Sequence, residues 1–180
     1  AAPPRKGSVY ASLDRQVATF AELPGPAVVV FQDLDDPPVS ATFGEVMCTT
    51  YKRFGAAGLV TSGAARDLDQ VRRLGFPCFS NGVICSHGYA HVVDIGIPVH
   101  VGGVTVAPGE LLHGDANGVT TIPLEIASAV AGACADYAAA EQVVLDYCKS
   151  AEVTPASYAA ARAECARMIA AIGERVRRRG

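Results

Sequence analysis

Three residues in the first half of the chain combine side chains that metal-assisted chemistry on a small acid requires. Glu45 follows Gly44 at the expected start of a helix, and Arg66 and Asp67 stand side by side, with twenty residues between positions 45 and 66. A guanidinium is a planar fork that suits one carboxylate. A carboxylate is a hard oxygen ligand that suits Mg²⁺ or Mn²⁺. Together they could hold a 2-oxo acid, with the arginine on its carboxylate and a metal on its carbonyl oxygen.

Each of these motifs also has a plainer interpretation when taken alone. Asp67 could be an ordinary helix N-cap beside a surface arginine, and Glu45 could be favoured only by the helix dipole. The functional alternative for Gly44 is an anion site, because a helix N-terminus presents free N–H groups and glycine lets a ligand approach. The residue types and spacing leave both interpretations open.

The elements that position these residues follow from the apolar and turn patterns. Short apolar runs bounded by turn residues predict buried strands, and glycines after periodic segments predict helix ends. The predicted elements are a strand at 27–31, a helix at 44–54 ended by Gly55, a strand at 59–62, a tight turn at 63–65, a short helix capped by Asp67 and ended by Gly75, and a strand at 77–80. This order of strand, helix and strand predicts a βαβ-like unit.

The flanking segments predict further helices and a β-rich layer. An amphipathic helix is expected over 8–20 with Ser8 as its N-cap. Short strands joined by glycine turns follow position 97. Pro123 is expected to start a long helix that runs roughly from Leu124 to Lys149, and Thr154 and Pro155 are expected to open a last helix to about Arg178.

Composition limits the class of protein. The 180 residues are 50% hydrophobic and 18% charged with a net charge of −3, which predicts one globular domain and argues against nucleic-acid or anionic-membrane partners. The first residues lack a signal-peptide pattern and no apolar run reaches the length of a membrane span, so a cytoplasmic protein is expected. Without a CxxC pair the six cysteines indicate no structural zinc, and Cys48, Cys134 and Cys165 are expected to be buried apolar residues.

Two longer strings resemble a known family. They are GLVTSGAARDLDQVRRLGFPCFSNG from Gly58 and IPVHVGGVTVAPGELLHGDANGVTTIP from Ile97. With the Glu45–Arg66–Asp67 spacing they resemble the RraA-like family, which includes the 4-hydroxy-4-methyl-2-oxoglutarate aldolases. The resemblance spans roughly positions 8–149. It implies an α/β fold, a swivelling three-layer α/β/β/α sandwich, as a single domain over 1–180 with C-terminal helices at 124–178. Family members usually carry a further N-terminal segment, so that part of the family domain is expected to be absent.

The resemblance also implies a reaction and a site. The family's aldolases are divalent-metal-dependent (class II) lyases that cleave 4-hydroxy-4-methyl-2-oxoglutarate or 4-carboxy-4-hydroxy-2-oxoadipate to pyruvate, with oxaloacetate decarboxylation as a side activity. It implies that Asp67 ligates Mg²⁺ (or Mn²⁺) directly, that Glu45 acts through water, and that Arg66 binds the substrate carboxylate. An acid from a neighbouring subunit completes the site, and Glu141 is the candidate, acting through water. The pyruvate portion is expected on the backbone N–H groups of Gly44, Glu45, Val46 and Met47.

The family resemblance further implies a homotrimer or homohexamer with sites at subunit interfaces and a small 2-oxo acid as partner. Two alternatives remain. One is a non-catalytic regulator that binds other proteins, like the ribonuclease-regulating members, which lack the aspartate after the arginine. Asp67 is present here, which favours catalysis. The other is a related lyase or hydrolase that acts on another small 2-oxo acid.

Overall fold

The computed structural model describes residues 11–88 and 90–178, and the chain divides into two compact units, with the boundary between Thr121 and Ile122. The helices are α1 (Leu13–Ala18), α2 (Glu45–Arg53), α3 (Leu68–Leu74), α4 (Ala127–Lys149) and α5 (Pro155–Arg177). The strands are β1 (Val28–Phe31), β2 (Ala41–Phe43), β3 (Gly58–Thr61), β4 (Ala64–Ala65), β5 (Cys78–Phe79), β6 (Gly82–Val83), β7 (Val99–Val101), β8 (Val104–Val106), β9 (Leu111–Asp115) and β10 (Gly118–Ile122).

Successive strands of the first unit alternate between two parallel sheets. One sheet has the order β1-β3-β5 and the other the order β2-β4-β6. Along the chain, each strand of the first sheet is therefore followed by a strand of the second. Helix α2 lies between β2 and β3, and α3 lies between β4 and β5. Each helix is thus part of the crossover that parallel neighbours in one sheet need.

The core of the first unit lies where the helices pack against β1-β3-β5. Strand β3 is buried along its whole length, as its continuous apolar run predicts. The side chains of Cys48 and Tyr51 on α2 and of Leu59 on β3 are fully buried. Around them cluster Ala27, Phe43, Ala56, Ala65, Val71 and Phe76. The core therefore fixes which face of α2 is buried. The N-terminus of α2 lies next to strand β2 of the second sheet.

Most predicted elements of the first unit are present, with two corrections. The expected tight turn at 63–65 is wrong, because Ala64–Ala65 forms strand β4 between β2 and β6. Helix α1 begins at Leu13 and continues as a 3₁₀ turn over Thr19–Glu22, so the helix expected from position 8 is shorter. Ser8, its predicted N-cap, lies outside the described residues. Gly55 and Gly75 end α2 and α3 with φ of +86° and +59°, as predicted.

The remaining strands form two pairs. Strands β7 and β8 are antiparallel and joined by Gly102–Gly103, both at positive φ, the backbone that a tight hairpin turn requires. Strands β9 and β10 pair with each other. The predicted short strands are therefore present, with Gly102–Gly103 joining β7 to β8 and Ala116–Asn117 joining β9 to β10.

The second unit contains the two long helices α4 and α5. Leu124–Ile126 is a 3₁₀ turn, so the long helix begins at Ala127, three residues later than predicted. Thr154 caps α5 as predicted, and its side chain accepts a hydrogen bond from Ser157 N at 3.2 Å. Cys134 is exposed and Cys165 is half-buried, so the expectation of buried thiols is correct only for Cys48.

The predicted α/β fold with C-terminal helices is confirmed. The expectation of a single domain over 1–180 stays a prediction. Within the described part of the chain, α4 and α5 included, each helix is too short or too polar to cross a lipid bilayer.

Candidate functional site

The two predicted site segments come together because each follows the carboxyl end of a neighbouring parallel strand. Strand β2 ends at Phe43, directly before Gly44, and β4 ends at Ala65, directly before Arg66. The two strands pair, and Arg66 N donates a hydrogen bond to Phe43 O at 3.1 Å. The carboxyl edge of parallel strands is the usual place for a ligand site in α/β proteins. Two segments that are separated by about twenty residues in the sequence therefore adjoin one another.

Gly44 is buried at the point where the segments meet. A Cβ at this position would lie 2.4 Å from Asp67 Oδ2 and 3.0 Å from Arg66 Nε. The backbone of Gly44 is extended (φ −155°, ψ −162°), a conformation that any residue adopts. Glycine is therefore required here by space and not by backbone geometry, and its missing side chain lets the Asp67 carboxylate approach the start of α2.

Asp67 turns its carboxylate away from its own helix. It precedes α3 in the left-handed conformation, with φ +56° and ψ +39°, and makes no side-chain cap hydrogen bond. Its Oδ2 instead accepts a hydrogen bond from Glu45 N at 3.0 Å. The prediction that Asp67 caps α3 through its side chain is thus wrong, since the carboxylate satisfies an N–H of α2. A left-handed non-glycine residue costs about 1–3 kcal/mol and often marks a functional site.

Arg66 supplies a positive charge beside this carboxylate. Its Nε lies 3.8 Å from Asp67 Oδ2, and the side chains are 33% and 31% exposed. A pair that is this accessible contributes little to stability. Its two charged groups instead remain in reach of a solvent-borne ligand, and the arrangement offers a carboxylate, a guanidinium and a helix N-terminus to one small anion and its counter-cation.

The other predicted residues occupy the first turn of α2 or the second unit. The side chains of Glu45 and Val46 are exposed, and Met47 is half-buried against the core. The first intrahelical hydrogen bond runs from Cys48 N to Gly44 O at 3.1 Å, so the preceding N–H groups have no intrahelical acceptor. Glu141 lies on α4 with an exposed side chain. Its role from a neighbouring subunit stays a prediction.

A second polar cluster supports the site and was not predicted. Asp33 accepts a hydrogen bond from Thr42 Oγ1 at 3.2 Å through Oδ2, and its own N donates to Ser62 Oγ at 2.9 Å. A Cβ on Gly63 would lie 2.0 Å from Thr42 Oγ1 and 2.4 Å from Asp33 Oδ2. The cluster therefore holds the start of β4, which leads directly to Arg66. The usable signal was that Asp33 and Ser62 both follow apolar strands.

The carboxylates at the site fit a Mg²⁺ ion that keeps most of its water ligands. Among the described residues, no three His, Cys, Asp or Glu side chains converge as a metal cage. Mg²⁺, however, commonly keeps several waters and takes one or two carboxylates together with its substrate. The half-buried Asp67 carboxylate, with Glu45 on the adjoining turn, fits that mode and does not fit an all-protein cage.

The one described lysine of the first unit lies away from the start of α2. Lys52 is on the last turn of α2, at the opposite end from Glu45, and donates a hydrogen bond to Leu74 O. Among residues 11–88 and 90–121, the site thus offers no amine for a Schiff base.

Fold and site together define a class: an α/β protein in which a carboxylate and a guanidinium adjoin a helix N-terminus at the carboxyl ends of parallel strands. The chain belongs to the RraA-like family, since the family model described as Aldolase/RraA matches residues 10–121. A relative from Halalkalibacterium halodurans is 36% identical over 107 residues, which are 59% of this chain and 50% of that protein. Its provisional name is 4-hydroxy-4-methyl-2-oxoglutarate aldolase. The chain thus spans half the length of that relative.

Solved structures agree with this assignment. An uncharacterized protein from Pseudomonas syringae superposes with a TM-score of 0.64 at 22% identity, covering 85% of this chain and 70% of that one. That likeness concerns the fold. RraAS2 from Streptomyces coelicolor, described as an unusual member of the RNase ES inhibitor RraA protein family, gives a TM-score of 0.59 at 26% identity. It covers 78% of this chain and 69% of that one.

Proposed function

We propose that the chain is a divalent-metal-dependent (class II) pyruvate aldolase that also decarboxylates oxaloacetate. Its proposed substrates are 4-hydroxy-4-methyl-2-oxoglutarate or 4-carboxy-4-hydroxy-2-oxoadipate. One observation carries the proposal: the Asp67 carboxylate and the Arg66 guanidinium lie together against the N-terminus of α2. The provisional name of the Halalkalibacterium halodurans relative supports the same reaction class.

The substrate is held by its 2-oxo acid end. Arg66 binds the carboxylate, because a guanidinium offers two parallel N–H donors to it. The N–H groups at the start of α2, within Gly44–Met47, receive the remaining oxygens with the help of the helix dipole. The absence of a side chain at Gly44 keeps this approach open. Positioning alone contributes to the rate because it removes the entropic cost of bringing the groups together.

Both reactions break a carbon–carbon bond next to C3 and leave the electron pair on the pyruvate unit. In oxaloacetate the C3–C4 bond breaks and CO₂ departs. In the aldol substrates the C4 hydroxyl loses its proton as the same bond breaks. The product in each case is the enolate of pyruvate, which takes a proton at C3. Arg66 and the α2 N–H groups stabilise the negative charge that develops on the C2 oxygen.

Asp67 would hold Mg²⁺ or Mn²⁺ directly, and Glu45 would hold it through water. When bound, such an ion is a Lewis acid that polarises a carbonyl oxygen. The predicted contribution of Glu141 comes from a neighbouring subunit. The exposed apolar side chains of Val46 (72%) and Leu68 (39%), which flank the site, support a homo-oligomer in which a second chain covers this corner.

The first test is oxaloacetate decarboxylation, which requires only the shared enolate step. We expect pyruvate release with Mg²⁺, loss of release with EDTA, and recovery when Mn²⁺ is added. Asp67→Asn is the informative variant, because asparagine tolerates left-handed backbone and removes only the charge. It should reduce release by about 100-fold or more. Asp69→Asn, which alters an exposed carboxylate two residues later on α3, is the matched control.

A binding measurement separates a missing site from a wrong substrate. Mn²⁺ binding, followed by electron paramagnetic resonance, should weaken in Asp67→Asn and remain in Asp69→Asn. Equal Mn²⁺ binding by the two variants, or metal-independent pyruvate release, would contradict the proposal.

The second candidate is a regulator that binds other proteins, and the likeness to the RNase ES inhibitor family member favours it. It predicts a folded chain that neither binds Mn²⁺ at Asp67 nor releases pyruvate, but slows a ribonuclease of that class in a direct assay.

A further inference from the structure

Two of the six cysteines lie side by side in the core of the first unit. Cys48 is on the buried face of α2 and Cys78 is the first residue of β5, thirty positions later. Their Sγ atoms are 3.7 Å apart. Cys48 is fully buried, whereas Cys78 is half-buried. The other cysteines are Cys85, Cys134, Cys148 and Cys165.

The contact between the sulfurs shifts the pKa values of the two thiols in opposite directions. The hydrogen bond between the two thiols lowers the pKa of Cys48, against a smaller opposing effect of burial. The same hydrogen bond, together with burial, raises the pKa of Cys78. The Cys48 thiol therefore loses its proton more readily than the Cys78 thiol, and the thiolate is the form that reacts.

The surrounding structure allows the sulfurs to approach. A disulfide requires an S–S distance of about 2.05 Å, so the pair must close by about 1.6 Å. Strand β5 is two residues long and lies at the edge of the β1-β3-β5 sheet. It is held by two register positions on β3, Leu59 with Cys78 and Val60 with Phe79. A short edge strand can shift by this distance more easily than the buried β3.

We propose that Cys48 and Cys78 are a redox-active pair that forms a reversible disulfide between α2 and β5. With a peroxide as oxidant, one thiol reduces the O–O bond and becomes a sulfenic acid as water leaves. The second thiol then attacks that sulfur, and a second water leaves. Two thiols lose two electrons and two protons in total, and a dithiol reductant reverses the change. The balance is the same whichever sulfur reacts first.

The disulfide would close a loop that contains β3, β4 and α3, and therefore Arg66 and Asp67. It would also fasten the first turn of α2, because Cys48 N is bonded to Gly44 O. The proposal rests on residues other than Gly44, Glu45, Arg66 and Asp67. It stands or fails independently of the proposed reaction.

The test maps the cross-link in the full-length chain. Reduced protein is treated with hydrogen peroxide, free thiols are alkylated after denaturation, and the chain is digested without reductant. Chymotrypsin cleaves after Phe79 and so separates Cys78 from Cys85. We expect a peptide pair joined through Cys48 and Cys78, within one chain, that is short of two hydrogens and is released by dithiothreitol. Oxidation should also raise the Tm, since the bond restricts the unfolded chain.

The variants sharpen the interpretation. Cys48→Ser and Cys78→Ser should each lose the cross-linked peptide and the rise in Tm. Cys148→Ser, at an exposed position on α4, should keep both. The proposal is overturned if Cys48 and Cys78 remain fully alkylatable while exposed cysteines oxidise. It is also overturned if the two thiols end as separate oxidised acids. Both outcomes are read in the unaltered chain, so poor folding of a variant leaves the test intact.

Discussion

Asp67 Oδ2 accepts a hydrogen bond from Glu45 N at 3.0 Å, so a residue that follows β4 satisfies the start of a helix that follows β2. This hydrogen bond joins Gly44–Glu45 to Arg66–Asp67, the two parts of the predicted motif. Its donor is a main-chain N–H and its acceptor is a side-chain carboxylate. It depends on the left-handed backbone of Asp67 and on the empty space beside Gly44. Each of these features can be removed by one substitution.

Gly44→Ala tests whether the space beside Gly44 must stay empty. The new methyl group would lie 2.4 Å from Asp67 Oδ2, so the carboxylate or the start of α2 must move. A displacement near 1 Å in a catalytic arrangement costs about 100-fold in rate, and we expect decarboxylation to fall by about that factor. Gly132→Ala is the control, since its Cβ meets nothing within 4 Å. Equal activity of the two variants would show that Asp67 does not act in the position described.

A comparison of Asp67→Gly with Asp67→Ala tests the left-handed backbone conformation at position 67. Both substitutions remove the carboxylate and should abolish decarboxylation alike. Glycine adopts φ of +56° without strain, whereas alanine does not. We therefore expect Asp67→Gly to be more stable than Asp67→Ala by about 1 kcal/mol, measured by urea unfolding. Identical free energies of unfolding would argue against a left-handed residue at this position.

Gly63→Ala tests the supporting cluster. The added carbon would lie 2.0 Å from Thr42 Oγ1 and 2.4 Å from Asp33 Oδ2. Overpacking of this kind costs about 1–3 kcal/mol, and we expect that loss in the free energy of unfolding. Gly82→Ala, on the neighbouring strand β6 and with open space around its Cβ, should be near neutral. Thr42→Ala should recover part of the loss in the double variant, because it removes the nearer atom.

Tyr51→Phe tests the centre of the core. Tyr51 donates a buried hydrogen bond to Gln16 Oε1 at 2.6 Å, and Gln16 is only 6% exposed. Removing the hydroxyl leaves that oxygen without its donor and should cost about 1–3 kcal/mol of unfolding free energy. The exposed Tyr137→Phe is the control and should change stability little.

The buried Tyr51 also predicts that the free energy of unfolding declines at alkaline pH. Burial raises the pKa of the Tyr51 hydroxyl above its ordinary value. Because the folded-state pKa is the higher one, this group's contribution is fully present below about pH 10, the unfolded value, and declines as the pH rises above it. Unfolding free energies measured from pH 8 to 11 should fall more steeply in the wild type than in Tyr51→Phe. Parallel curves would contradict the assignment.

The sequence was sufficient for the parts that depend on local pattern. The apolar runs of β1 and β3 correctly predict those two strands, and the glycines after α2 and α3 correctly predict where those helices end. Strands β2 and β4, which directly precede the site, were missed because two or three residues are too few to show alternation. The direction of the Asp67 carboxylate was missed because it depends on a left-handed backbone and on a neighbouring strand. The proximity of Cys48 and Cys78 is likewise tertiary, and the role of Glu141 depends on a second chain.

The hydrogen bond from Glu45 N to Asp67 means that the start of α2 already holds an anion of its own. A substrate oxygen that needs the same N–H must displace this internal competitor, whereas a cation that draws the carboxylate away frees the N–H for the substrate. Thermodynamic linkage makes such coupling reciprocal, so each ligand must raise the affinity for the other by the same factor. The apparent affinity for the acid would then rise with the concentration of the cation. The four residues Gly44, Glu45, Arg66 and Asp67 would thus bind the two ligands cooperatively.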